Sequence, residues 1–368
     1  MKVCLRKGYH SVFEDLIKYP PKGVEYVFPP YVVPSKNKIV NNIKRGLFRS
    51  YLRFTNNPHA LKVNPMGAEL IHGCSGILVK NDMPWVLDLE HAASFVGFQA
   101  GRLENVRKKV EKYLAGKNCK KIMPWTEAGK MSILNGLDCS GFKEKLEVVY
   151  PAIAPRNVAE TKSDSVRFLF VSYGFYIKGG MEVLKAFETL SKKYDVELTM
   201  ISDVPKDIVE KYSGKFKVKF PGLQPREKVL TEFFPNSDVF ILPTYTDTFG
   251  MVFLEAMAAG KPCIGTDTFA VPEIIGNCGF ALPSSKYSWY GKNYLFSMDN
   301  WEKFNRFVET TEKPEIVSGI IEKAGLLIQD SKLRRKLGET GLKEVVNGKF
   351  SIKARNEQLL RIYREAVE

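Results

Sequence analysis

Residues 238–275 read DVFILPTYTDTFGMVFLEAMAAGKPCIGTDTFAVPEII and hold two short apolar runs, each followed by a helix-like stretch. Asp238–Pro243 precedes Gly250–Ala259, and Pro262–Asp267 precedes Val271–Ile275. Brief apolar runs bounded by turn formers suit strands that are buried on both faces. The alternation extends upstream: Val166–Ser172 precedes Gly180–Lys193, Val196–Ser202 precedes Lys206–Tyr212, and Phe216–Phe220 precedes Arg226–Phe234. Strand and helix at this spacing predict βαβ units around a parallel sheet. Such sheets bind ligands at the carboxyl ends of their strands, so the loops after Ser172, Pro243 and Thr266 are expected to converge.

The first half is less regular. Candidate strands are Lys2–Leu5, Glu25–Phe28, Ala68–His72, Trp85–Leu89, Lys120–Met123 and Leu146–Val149, which suit a second sheet. Pro151 and Pro155 mark a linker between the two, and after Asn300 the chain turns helical up to Ser351–Val367. The expected architecture is α/β: two Rossmann-like parallel-sheet domains facing across a cleft. They cover residues 1–150 and 151–350, with a last helix at 351–368.

Composition narrows the function classes. With 368 residues, 44% hydrophobic and 26% charged, the chain has ample apolar side chain for globular cores. No run of 18 apolar residues suggests a membrane span, and the first residues lack the apolar core of a secretory signal; a cytoplasmic location is expected. Six scattered cysteines and four histidines show no metal-ligand spacing, so no metal is expected and the cysteines read as small core residues.

Charge is uneven. Residues 1–150 hold 24 Lys and Arg against 13 Asp and Glu, or +11 of the chain's net +14. Within 36–54, lysines and arginines interleave with apolar residues at three- and four-residue steps, the pattern of a basic amphipathic helix. A second basic run follows at Arg102–Lys121. Such a segment suits an anionic membrane surface, giving a peripheral contact, or equally a solvated face packed on its own domain. No zinc-finger or RRM motif is present, and nucleic acid is not an expected partner.

The chemistry gathers in 243–260. A strand ends at Pro243, a loop carries Asp247, and a helix begins near Gly250. The free N–H groups of Phe249, Gly250, Met251 and Val252, with the helix dipole, make a site for a diphosphate. Glu255 lies about one and a half turns into the helix, where a carboxylate can accept both hydroxyls of a ribose. Asp247 can reach the group beyond the phosphates, or it can cap the helix.

These residues resemble the glycosyl transferases group 1 family, the retaining nucleotide-sugar enzymes of GT-B fold. The family pattern is two acids with seven residues between, then E-A-M-A-x-G-x-P. Here it is Asp247 and Glu255, followed by Ala256-Met257-Ala258-Ala259-Gly260-Lys261-Pro262, with Asp in place of the usual first Glu. Phe168–Gly180 is similar to the family's strand, loop and K-G-G; the resemblance gives Lys178 the donor diphosphate, whereas alone it reads as a solvated loop lysine. Tyr173 stands where the family often has Arg. Pro84–His91 resembles the strand that ends in a His facing the donor sugar, although His91 also suits a structural role. The family's Gly-Gly loop is poorly matched by Lys7-Gly8-Tyr9-His10, and the resemblance implies that the last helix, 351–368, crosses back to the first domain.

The resemblance implies transfer of a sugar, with retention, from a nucleoside diphosphate sugar to a glycan, lipid-linked or small-molecule acceptor. No cofactor beyond the donor substrate is implied. Asp247 and His91 would serve the sugar, while Lys178, residues 249–252 and Glu255 would hold the nucleotide. A non-catalytic nucleotide-sugar sensor or scaffold is the alternative.

Overall fold

The computed structural model describes residues 1–6, 11–29, 46, 50, 54–99, 101–156 and 163–368. Residues 7–10 and most of the basic stretch 36–54 lie outside the described residues. The chain divides into two compact units. One comprises Met1–Pro151, Asn293–Leu295 and Arg355–Glu368; the other comprises Ala152–Lys292 and Phe296–Ala354.

In the first unit the strands β1 (Lys2–Arg6), β2 (Glu25–Val27), β4 (Leu70–Gly73), β6 (Trp85–Leu89) and β7 (Cys119–Pro124) form one sheet in the order β2-β1-β4-β6-β7. Every pairing is parallel. Short strands β3 (Ala60–Leu61) and β5 (Leu78–Val79) pair separately and were not foreseen. The expected strand at Leu146–Val149 forms only one bridge, Ile122 with Leu146. Beyond it, Glu147 N–H reaches Ile122 O and Val149 N–H reaches Pro124 O, both at 3.0 Å, and Pro151, the next position in that alternation, has no N–H to continue the ladder.

The second unit has a six-stranded sheet of β8 (Val166–Val171), β9 (Val196–Ile201), β10 (Val218–Lys219), β11 (Val239–Ile241), β12 (Cys263–Thr266) and β13 (Gly279–Leu282). Its order is β10-β9-β8-β11-β12-β13, again all parallel. Counted along this unit that is 3-2-1-4-5-6, the doubly wound order, with its switch point between β8 and β11. Val239, Phe240 and Ile241 are fully buried, each worth about 1.5–3 kcal/mol relative to exposure. Arg167 grips Asp238 with Nε to Oδ2 at 3.0 Å and Nη2 to Oδ1 at 2.9 Å, a two-pronged bond that pins the starts of β8 and β11. β13 went unforeseen in the sequence because its FAL core is too short to stand out from a loop.

Helix ends follow local chemistry. Asn300 and Asp330 cap the helices Trp301–Thr310 and Ser331–Val346 through bonds from Lys303 N and Leu333 N at 2.9 and 2.8 Å. All six cysteines are buried and unbridged. Among the described residues no helix is long and apolar enough to cross a membrane.

Candidate functional site

Two loops leave the switch point of the second unit, one after β8 and one after β11. They are stitched together: Tyr245 N–H donates to Ile177 O at 3.0 Å. Gly179 sits at φ +78°, and a Cβ there would lie 2.4 Å from Pro243 O. Only glycine tolerates both that backbone and that approach. Gly179→Ala is therefore expected to lower stability by about 2 kcal/mol, measurable by denaturant unfolding against a Gly214→Ala control, which has positive φ but open space.

The stitched loops bring Lys178 and Asp247 together. Lys178 Nζ donates to Asp247 Oδ2 at 2.8 Å and to Thr246 O at 2.6 Å, with both side chains largely buried. Asp247 thus pairs with Lys178, and the N-cap of the helix Met251–Ala258 is Gly250 at φ +77°. A Cβ at Gly250 would meet the Phe253 ring at 2.7 Å. Phe249 turns its ring into the core against Phe350, so what it offers a ligand is backbone. Beneath the loop, Tyr245 is held by a buried cluster: Lys313 Nζ lies 3.1 Å from Glu182 Oε1 and 5.1 Å from the Tyr245 ring centre. Burial, with Glu182 beside it, keeps the Tyr245 hydroxyl protonated.

Glu255 is only 8% exposed at its side chain, and Arg226 Nε donates to its Oε1 at 2.6 Å. Arg226 was not foreseen: Arg226-Glu-Lys reads as an ordinary helix start, and no spacing rule links it to Glu255. Asp203 was also missed. Its Oδ1 accepts from Gly174 N–H at 2.8 Å and Phe175 N–H at 3.1 Å, shaping the loop that leads to Lys178. Its position just past β9, at a strand's carboxyl end, is the signal that could have found it. Tyr173, 76% exposed, stands on the same loop.

His91, in the first unit, is 1% exposed and caps the turn Ala92–Val96. Nδ1 accepts from Ala93 N–H at 2.9 Å, which leaves Nε2 as the donor to Tyr294 O at 2.7 Å. Burial pushes its pKa down to about 4, so the ring is neutral near pH 7. Both ring nitrogens are taken, and a sugar hydroxyl would have to displace Tyr294 O. Asp88 is buried too, accepting from Ser75 N–H and Trp125 Nε1, with His72 Nε2 3.0 Å from its Oδ2. His72, Cys74 and Asp88 bring donor atoms within 4.8 Å of one another, a grouping no sequence spacing suggested.

Comparison with known proteins gives these loops a context. Residues 154–314 match the family model described as glycosyl transferases group 1. N-acetyl-alpha-D-glucosaminyl L-malate synthase of Bacillus anthracis is 27% identical over 176 residues, 46% of this chain and 38% of that one. The capsular polysaccharide biosynthesis glycosyltransferase CapM of Staphylococcus aureus is 27% identical over 192 residues, 50% of this chain and 42% of its own. The chain thus spans about two fifths of these curated relatives. Among solved structures, a glycosyltransferase from Rickettsia africae superposes with TM-score 0.57 at 16% identity, covering 100% of this chain and 90% of that one. Anabaena HepE, solved with UDP and glucose, gives TM-score 0.57 at 13% identity and 99% coverage of both chains. Over residues 154–314 this chain resembles the glycosyl transferases group 1 family in sequence, and over its length it has the α/β, two-sheet fold of GT-B glycosyltransferases.

Proposed function

We propose that the protein is a retaining glycosyltransferase that moves a sugar from a nucleoside diphosphate sugar to a glycan, lipid-linked or small-molecule acceptor. The observation that carries this reading is the placement of Lys178 and Asp247 side by side at the β8/β11 switch point, just ahead of a glycine-started helix bearing Glu255. A lysine ammonium has three N–H donors. Two are given to Thr246 O and Asp247, and the third serves a phosphate oxygen of the donor. The N–H groups that open the helix Met251–Ala258 take the rest of the diphosphate. As the glycosidic bond breaks, negative charge grows on the departing oxygen, where the ammonium is already oriented. Asp247 then lies between that cation and the sugar, able to accept a sugar hydroxyl and to balance positive charge at the anomeric carbon.

Glu255 takes the ribose hydroxyls, with Arg226 holding the carboxylate in place. The acceptor is assigned to the first unit, whose net positive charge suits an anionic acceptor or an acceptor at an anionic membrane surface. A thermal-shift panel of UDP, GDP and ADP tests the site. One of them, at about 100 times its dissociation constant, is expected to add about 2.7 kcal/mol of stability. Glu255→Gln should lose most of that gain, measured against the variant's own melting temperature without nucleotide. Absence of a shift with every nucleotide overturns the assignment. Release of nucleoside diphosphate from a sugar conjugate separates an enzyme from a sensor.

A further inference from the structure

We propose a second ligand site in the first unit, a groove for a multiply charged sugar acid or sugar phosphate. It lies where β6 and β7 begin, at Trp85 and Cys119, and so at the amino edge of the sheet, away from the strand ends that carry His91. The cavity measures about 560 Å³, within the range of small-molecule sites and large enough for one or two sugar rings. Lys80, Lys109, Lys112 and Lys117 line it, with Trp85 and Tyr113, and no carboxylate is among its described lining residues.

The charge there is uncompensated. Lys109 is occupied by Asn56 O at 2.7 Å and Asn57 Oδ1 at 3.1 Å. Among the described residues, the ammonium groups of Lys80, Lys112 and Lys117 have no carboxylate partner. The carboxylate near the rim, Asp82, is bound by the Asn118 amide at 2.8 Å. The helix Arg102–Ala115 ends at the groove, and its terminal carbonyls would repel an anion. Lys145 cancels that: its Nζ donates to Leu114 O, Ala115 O and Gly116 O at 3.0, 3.2 and 3.0 Å. A cationic field therefore faces a concave pocket with aromatic side chains in its wall. Concavity favours a discrete molecule over a flat lipid surface, and lysine heads with aromatic walls suit a ring that carries phosphate or carboxylate.

The site is independent of the glycosyltransferase reading and is tested by binding alone. Calorimetric titration of the full chain at low salt would use glucose 6-phosphate, a galacturonate oligosaccharide, and glucose as the neutral control. Binding of either anion, weakening as salt rises, is expected, with none for glucose. Capture of glucose 6-phosphate identifies a free sugar phosphate as sufficient; capture of the oligosaccharide alone identifies the acidic residue of a glycan. Lys80→Ala/Lys112→Ala/Lys117→Ala should weaken binding at least tenfold, and Lys112→Glu alone should do so if the triple variant folds poorly. Lys192→Ala/Lys332→Ala/Lys336→Ala, which removes equal charge elsewhere, should leave it unchanged, as should Lys178→Ala. The proposal is overturned by no binding of either anion, by equal loss in both triple variants, by loss in Lys178→Ala, or by capture only on phosphatidylglycerol vesicles.

Discussion

Lys178→Ala is expected to lower kcat by about 10²–10³-fold, with a much smaller change in KM for the donor. That range is typical for removing one oriented donor from a site where charge develops. On the proposed reaction, the ammonium, pre-positioned by Thr246 O and Asp247 Oδ2, would need no reorganisation when the glycosidic oxygen departs. Steady-state rates at saturating donor would measure the effect. A structural explanation must be separated, because the variant leaves a largely buried Asp247 carboxylate without its cation. Lys178→Ala/Asp247→Ala removes both charges: stability should recover while kcat stays low. Lys178→Arg should recover only part of the rate, since a planar fork cannot reproduce the three-way geometry of an ammonium. A Lys178→Ala enzyme with near-parental kcat would refute the role given to this residue.

How much of this was legible beforehand depends on whether the signal was local. Val239–Ile241 and Met251–Ala258 were readable because a buried parallel strand and the helix after it are contiguous patterns. The convergence of the loops carrying Lys178 and Asp247 was expected from the parallel sheet, but the ion pair between the two side chains was not readable. It arises from strand order, with β8 beside β11 although β9 and β10 intervene in the chain. The same holds for Arg226 and Glu255, whose pairing crosses 29 residues. The Asp247 reading left capping and ligand contact open, and geometry supplied a third answer, a buried ion pair. His91 shows the converse. Its strand-end position was legible, but its satisfaction by Ala93 and by Tyr294, 203 residues away, was not.

That satisfaction has a pH signature. The folded-state pKa of His91 is pushed down to about 4, against an unfolded value near 6.5, because burial penalises the cation. Adding a proton at Nδ1 would also set it against the Ala93 N–H donor. Between those two values the unfolded chain binds more protons than the folded one, so stability falls as pH drops through this window. At about 1.4 kcal/mol per pH unit, His91 alone should remove about 2 kcal/mol between pH 6.5 and 5. His91→Asn retains a side-chain acceptor for Ala93 N–H but does not titrate. Denaturant unfolding of both proteins should show the parent's advantage shrinking by about that amount at pH 5. A constant difference would mean that the ring is not the buried neutral base described. The same geometry bears on catalysis: a ring neutral from pH 5.5 to 8 and bound at both nitrogens cannot act there as an acid or a cation. If His91 serves the sugar, it does so as a fixed wall or by exchanging Tyr294 O for a hydroxyl. The activity profile should then show no inflection near pH 6.5 that disappears in His91→Asn, and finding one would overturn this account of the residue.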